Sequence, residues 1–125
     1  MPSGLLIDTS ILVDYLRDKK KAKVFLERQD QPLMISSITV AELYAGVREG
    51  KERVLLDEFL QAFQIIVVDL EIANQGGLYR RDYGKSHGVG LLDAIIAASA
   101  NKMKAILVTL NKKHFPMLKH IKVPY

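Results

Sequence analysis

Three carboxylates occupy positions where an apolar framework would not choose a charge. Asp8 ends the run Leu5-Leu6-Ile7 and is followed by Thr9 and Ser10. Glu42 lies in Ile38 to Val47, directly after the apolar stretch Leu33 to Ser36. Asp93 is the one charged residue in Leu91 to Ala100. A buried, unpaired carboxylate is costly or shifts its pKa. A helix N-terminus returns only about 0.5 kcal/mol to Asp93. If the three acids converge, two of them about 4 Å apart repel by roughly 4 kcal/mol at an effective dielectric near 20. Such a group needs a shared proton or a cation. With oxygen ligands and no cysteine, Mg²⁺ or Mn²⁺ is the natural ion.

Each acid also has a plain structural reading. Asp8 suits the cap of a helix beginning near Ile11, a favoured place for Asp, Ser and Thr. Thr39-x-x-Glu42 fits a capping box, in which the glutamate reaches back to the cap amide. The chemistry therefore depends on which elements carry these residues.

Leu5 to Ile7 reads as a short strand buried on both faces, as in the middle of a parallel sheet. Ligands of such sheets bind beyond the carboxyl ends of the strands, and Asp8 stands at that end. Further strands are expected at Leu33 to Ser36, Ile65 to Val68 and Ala105 to Val108, with a short edge strand at Ile121 to Val123. Helices are expected over Ile11 to Leu16, Lys19 to Gln29, Ile38 to Val47 and Lys51 to Phe63. The apolar stripe of the last of these runs Val54, Leu55, Phe59, Leu60, Phe63. Asp69 caps another helix running towards Tyr83, weakened at Gly76-Gly77, where each glycine costs roughly 1 kcal/mol relative to alanine. Gly84 to Gly90 reads as a loop. The helix Leu91 to Ala100 is apolar nearly all round and is expected to be buried. Strand alternating with helix argues an α/β fold with a parallel sheet.

The chain of 125 residues is expected to form one domain. Its formal net charge of +4 permits a polyanionic partner without requiring one. Lacking cysteine, it suits a reducing cytoplasm; no leader-like opening or membrane-length apolar run is expected. Thr109-Leu110-Asn111 brings a hydroxyl and an amide to the same sheet edge, although turn formation alone accounts for such residues. Arg80, Arg81 and Lys85 precede the Asp93 helix and Lys112 follows Asn111. They read either as solvated surface or as contacts to phosphate.

Four segments in order, LLIDTSILVDYL with Asp8, SSITVAELYAGV with Glu42, GLLDAIIAASA with Asp93, and ILVTLNKKHF with Thr109 and Asn111, resemble a PIN domain. More narrowly, the chain resembles a VapC-type toxin of a toxin–antitoxin pair. The resemblance implies a three-layer α/β fold, a central and mostly parallel sheet of four to five strands flanked by helices. It implies an endoribonuclease using Mg²⁺ or Mn²⁺, a homodimer, and a cognate antitoxin in the active-site groove. Asp8, Glu42 and Asp93 would then be catalytic metal ligands, with Thr9, Ser10, Thr109 and Asn111 as supporting or water-positioning groups. Many PIN domains carry a fourth acid where this chain has Asn111 and, three residues on, His114, which leaves one metal or two open. A haloacid-type phosphotransfer site would need Asp two residues after Asp8, where Ser10 stands. A catalytically silent PIN-like module that binds RNA or protein is the other alternative.

Overall fold

The structure, a computed structural model, describes residues 4–125. Its strands are β1 (Leu5–Ile7), β2 (Leu33–Ser36), β3 (Gln64–Ile66), β4 (Ile106–Val108) and β5 (Ile121–Lys122). They form one sheet ordered β3-β2-β1-β4-β5, parallel at every pairing. The helices are α1 (Thr9–Leu16), α2 (Lys20–Glu27), α3 (Ser37–Ala45), α4 (Lys51–Leu60), α5 (Leu70–His87) and α6 (Leu91–Met103).

All three β1 side chains are buried because each face of the sheet is covered. Leu6 packs with residues of α5 and α6, among them Ile72, Ile96 and Ala97. Leu5 and Ile7 point the other way, towards Ile11, Leu12, Leu26, Leu43 and Leu56 from α1 to α4. This is the period-two alternation of a strand between two cores. The chain passes from β1 to β2 on one side and later returns to β4 on the other. That reversal around β1 opens a crevice at its carboxyl end.

Several expected boundaries move. The first helix begins at Thr9, two residues before Ile11, because Asp8 caps it directly. The third strand is Gln64–Ile66, and Val67 is 68% exposed beyond it. On α4 the inward residue is Leu56, whereas Val54 and Leu55 face solvent. Leu91 and Leu92 are also exposed, so the burial of α6 begins at Ala94 and runs to Ala100.

The largest correction concerns Gly84 to Gly90. Helix α5 continues unbroken through Gly76-Gly77 and Gly84 to His87, stopping at Gly88 in the left-handed conformation (φ 64°), a common helix terminator. Asp69 caps its start, accepting from Ile72 N at 2.9 Å, and ion-pairs with Lys102 near the end of α6. The two helices are thus antiparallel. A Cβ added to Gly76 would lie 2.9 Å from Ile95 Cγ1 and 3.1 Å from Ile95 Cα, whereas Gly77 faces open space. Gly76 therefore lets α6 approach closely, and Gly77 does not.

This contrast predicts different outcomes for two alanine substitutions. Gly77→Ala should stabilise by about 1 kcal/mol through helix propensity. Gly76→Ala gains the same term but forces overpacking that costs about 1–3 kcal/mol, so it should be the less stable of the pair. Urea denaturation of both variants checks this. Equal stabilisation of the two would remove the close-packing account.

Candidate functional site

Asp8 reaches the crevice as the direct continuation of β1. Its amide donates to Val108 O at 2.9 Å, extending the β1–β4 pairing by one step. The backbone there is extended, and Oδ1 accepts from Thr9 N at 2.8 Å to cap α1. Oδ2 accepts from the buried Thr109 hydroxyl at 2.7 Å. That hydroxyl in turn accepts from Asn111 N at 3.0 Å. Cap and crevice residue are therefore the same carboxylate, only 4% exposed. Each of its oxygens accepts one bond and keeps further lone-pair capacity.

Glu42 does not close a capping box. Helix α3 starts at Ser37, and Ser36 is its cap, accepting from Ile38 N at 3.1 Å. Thr39 and Glu42 are thereby placed on one helix face a turn apart. The Thr9 hydroxyl lies 2.8 Å from Glu42 Oε1 and 3.0 Å from Thr39 Oγ1. Its single proton goes to the carboxylate, which only accepts, leaving Thr39 as donor in the other contact. Thr9 thus joins the two acids, with its amide on Asp8 and its hydroxyl on Glu42.

Asp93 lies in the first turn of α6. His114 Nδ1 stands 3.4 Å from its Oδ2. The 3-10 turn Lys112–His114 holds that imidazole, with His114 N donating to Asn111 O at 2.9 Å. Burial raises the Asp93 pKa, His114 opposes the rise, and the Glu42 charge adds to it. Burial likewise raises Asp8, against the Thr109 bond and with the help of Asp93. The three acids are therefore electrostatically coupled across one crevice. Among the described residues, no group of three or more His, Asp or Glu forms a ready-made cage for an ion.

The supporting residues divide. Thr9 and Thr109 hold carboxylates. Ser10 Oγ lies close enough to Asp8 to favour its charged form, yet it is a buried hydroxyl without a hydrogen bond of normal geometry. Asn111 contributes its backbone N–H and C=O to the Thr109 and His114 contacts, and the residue is exposed. Arg80, Arg81, Lys85 and Lys112 are all exposed, and Arg81 is engaged by Asp82 at 2.9 Å. Because Gly76 faces Ile95, the last turns of α5 run about 10 Å past the first residue of α6. They place Arg80 and Arg81 level with the Asp93 end of that helix and Lys85 beyond it.

Residues 5–120 match the PIN domain family. The chain belongs to that family. Ribonuclease VapC19 of Mycobacterium tuberculosis is 40% identical over 124 residues, covering 96% of this chain and 98% of the relative. Ribonuclease VapC10 of the same organism is 36% identical, covering 97% and 92%. These relatives mark the chain as a VapC-type PIN domain. Among solved structures, a toxin–antitoxin complex from Klebsiella pneumoniae superposes with a TM-score of 0.84 at 30% identity, covering 97% of this chain and 98% of that one. VapBC2 from Rickettsia felis, bound to a DNA fragment from its promoter, gives 0.77 at 28% identity, covering 94% and 96%. The five-stranded parallel sheet between helices is the architecture expected of a PIN domain.

Two residues of this PIN domain had no site role from sequence. Thr39 is fully buried against Thr9; its signal was the spacing of three to Glu42, which equally fits a box. His114 was noted only as standing three residues after Asn111, in the segment where many PIN domains carry a fourth acid, and its meeting with Asp93 is a tertiary fact.

The raised Asp93 pKa has a definite sign. A carboxyl that holds its proton more tightly when folded contributes stability that is full at acid pH. That contribution is lost as pH rises through the raised value. In excess chelator, Asp93→Asn should lack this loss and match or exceed the parent in melting temperature at neutral pH. Parallel thermal melts from acid to neutral pH test it; identical pH dependence in both proteins would show Asp93 to be uncoupled.

Proposed function

We propose that this PIN domain is a divalent-metal-dependent endoribonuclease and the toxin of a toxin–antitoxin pair. The observation that carries the reading is the buried Asp8 carboxylate at the carboxyl end of the central strand, coupled to Asp93 and joined through Thr9 to Glu42. Two relatives bearing the name ribonuclease over nearly the whole chain support it.

The donor set fits Mg²⁺ or Mn²⁺. All three acids offer oxygen, Asp93 raises the proton affinity of Asp8, Glu42 raises that of Asp93, and the buried Ser10 hydroxyl lacks a hydrogen bond of normal geometry. Asp8, Asp93 and Glu42 would hold the ion. Once bound, it would stabilise charge on the phosphate oxygens and lower the pKa of a coordinated water. Thr109 and the Thr9 amide fix the Asp8 rotamer, and the Thr9 hydroxyl aims Glu42. Ser10 and Asn111 are the candidates for orienting water. Arg80, Arg81, Lys85 and Lys112 would meet flanking phosphates, positioning the RNA without reading its sequence.

The antitoxin reading has its own support. A cleft of about 510 Å³ between α1, α3 and α4 has Glu42 in its wall together with Val13, Leu16, Val47 and Leu55. Leu55 is 62% exposed. An antitoxin segment in this cleft, which Arg17, Arg48 and Glu52 also line, would cover Glu42. Exposed Val67 and Leu70 give a second copy of the chain apolar surface for a homodimer. No helix among the described residues is long and apolar enough to cross a membrane, and the cytoplasm is the compartment proposed.

Purified protein should cleave RNA with Mg²⁺ or Mn²⁺ and lose that activity in excess chelator. Asp8→Asn, prepared identically, should be inactive. Thr109→Val should retain the fold and lose roughly 10- to 100-fold in metal affinity or activity. Cleavage that persists in chelator would refute the metal mechanism. RNA binding without cleavage under any divalent ion would make the chain a silent binding module.

A further inference from the structure

The basic residues of α2 sort into two groups. Lys19, which caps α2, and Lys23 are engaged by Asp14 at 3.5 Å and Asp18 at 2.6 Å. Lys20, Lys21, Arg28 and Lys122 have no acidic partner among the described residues. These four line one open cleft of about 440 Å³ between α2 and the end of β5, with Phe25 and Tyr125 and no acidic side chain.

The cleft is built. Ile121 packs with the α5–α6 core, so strand alternation turns Lys122 to the opposite face, where its ammonium lies 5.5 Å from the centre of the Phe25 ring. The Tyr125 hydroxyl donates to Asp14 Oδ2 at 2.6 Å, holding the chain end against α1. The cleft is tied to the Asp8 site through the sheet. Thr109, whose hydroxyl binds Asp8, donates its amide to Lys122 O at 3.0 Å. Ile7 pairs with Val108 and Val108 with Lys122, so Lys122 is two strand spacings, about 10 Å, from the residue before Asp8. Cations beside aromatic rings in an open groove are the means by which proteins track a single nucleic-acid strand.

We propose that this cleft is a subsite for the sugar-phosphate backbone of single-stranded RNA leaving the cleavage site. It rests on the nuclease reading, and it adds a strand path over α2 and β5, separate from the α5 basic residues.

The pairing pattern supplies a matched test. Lys20→Gln/Lys21→Gln and Lys23→Gln/Lys102→Gln remove the same charge, the second pair being lysines held by Asp18, Asp69 and Glu71 outside the cleft. Binding of a fluorescent single-stranded RNA oligonucleotide is measured by anisotropy in excess chelator, across a salt series, with thermal melts confirming both folds. The first double variant should bind more weakly, and its slope of log affinity against log salt should flatten by roughly 1.4, at about 0.7 per phosphate contact. The second should stay near the parent. Equal effects from both variants would reduce the cleft to general surface charge, and parent-like binding by the first would overturn the subsite. A parent that binds no RNA and cleaves none would instead overturn the nuclease reading, and the subsite with it.

Discussion

The Asp8 carboxylate is the constraint on which the rest of the site depends. It is placed where burial opposes its charge, and the Thr109 hydroxyl, the Thr9 amide and Ser10 favour the ionised form. Those donors come from the two elements that flank the crevice, the start of α1 and the end of β4. Holding them on one carboxylate sets the geometry of that sheet edge. The neighbouring acids make the balance worse: Asp93 raises Asp8, and Glu42 raises Asp93. Burial and mutual repulsion thus act together against charge in this crevice, and under the proposed nuclease reading a divalent ion would relieve both.

The same strand order that exposes Asp8 distributes the supporting parts. Because β1 is central and parallel to both neighbours, the polar residues after β1, β2 and β4 emerge at one edge. Glu42 arrives on α3, directly after β2, and His114 arrives in the turn after β4. Asp93 comes by another route, on a helix that packs across the opposite face of the sheet. Its depth there depends on Gly76, whose missing side chain lets Ile95 approach α5. A helix contact two residues along α6 from Asp93 therefore helps to fix the third acid.

Charge on the outer surface is unevenly spent. Around α2, neighbouring lysines differ in whether an aspartate neutralises them, and the unneutralised ones collect beside β5. On α5, Arg81 is balanced by its own neighbour Asp82. Net charge alone would rank these patches equally; pairing separates them.

Much of the framework was legible in the chain itself. The short apolar runs Leu5 to Ile7 and Leu33 to Ile35, each followed by a polar residue, read as buried strands. Asp8 and Asp93 stood out because a charge in such surroundings requires compensation. The limits of sequence appear where one residue type serves two purposes. Gly76 and Gly77 are identical in sequence, yet one faces Ile95 and the other faces nothing. Thr39-x-x-Glu42 has box spacing, but Ser36 is the cap and Thr9, 33 residues before Glu42, takes its carboxylate. The glycines of α5 signalled a break that the α5–α6 packing overrode, since roughly 1 kcal/mol of propensity per glycine is small beside a buried helix interface. Local pattern thus determined the strands, the parallel α/β class and the acids that needed an explanation. Only the tertiary fold decided their partners, because hydrogen bonds and close contacts join residues that are near in space and distant along the chain.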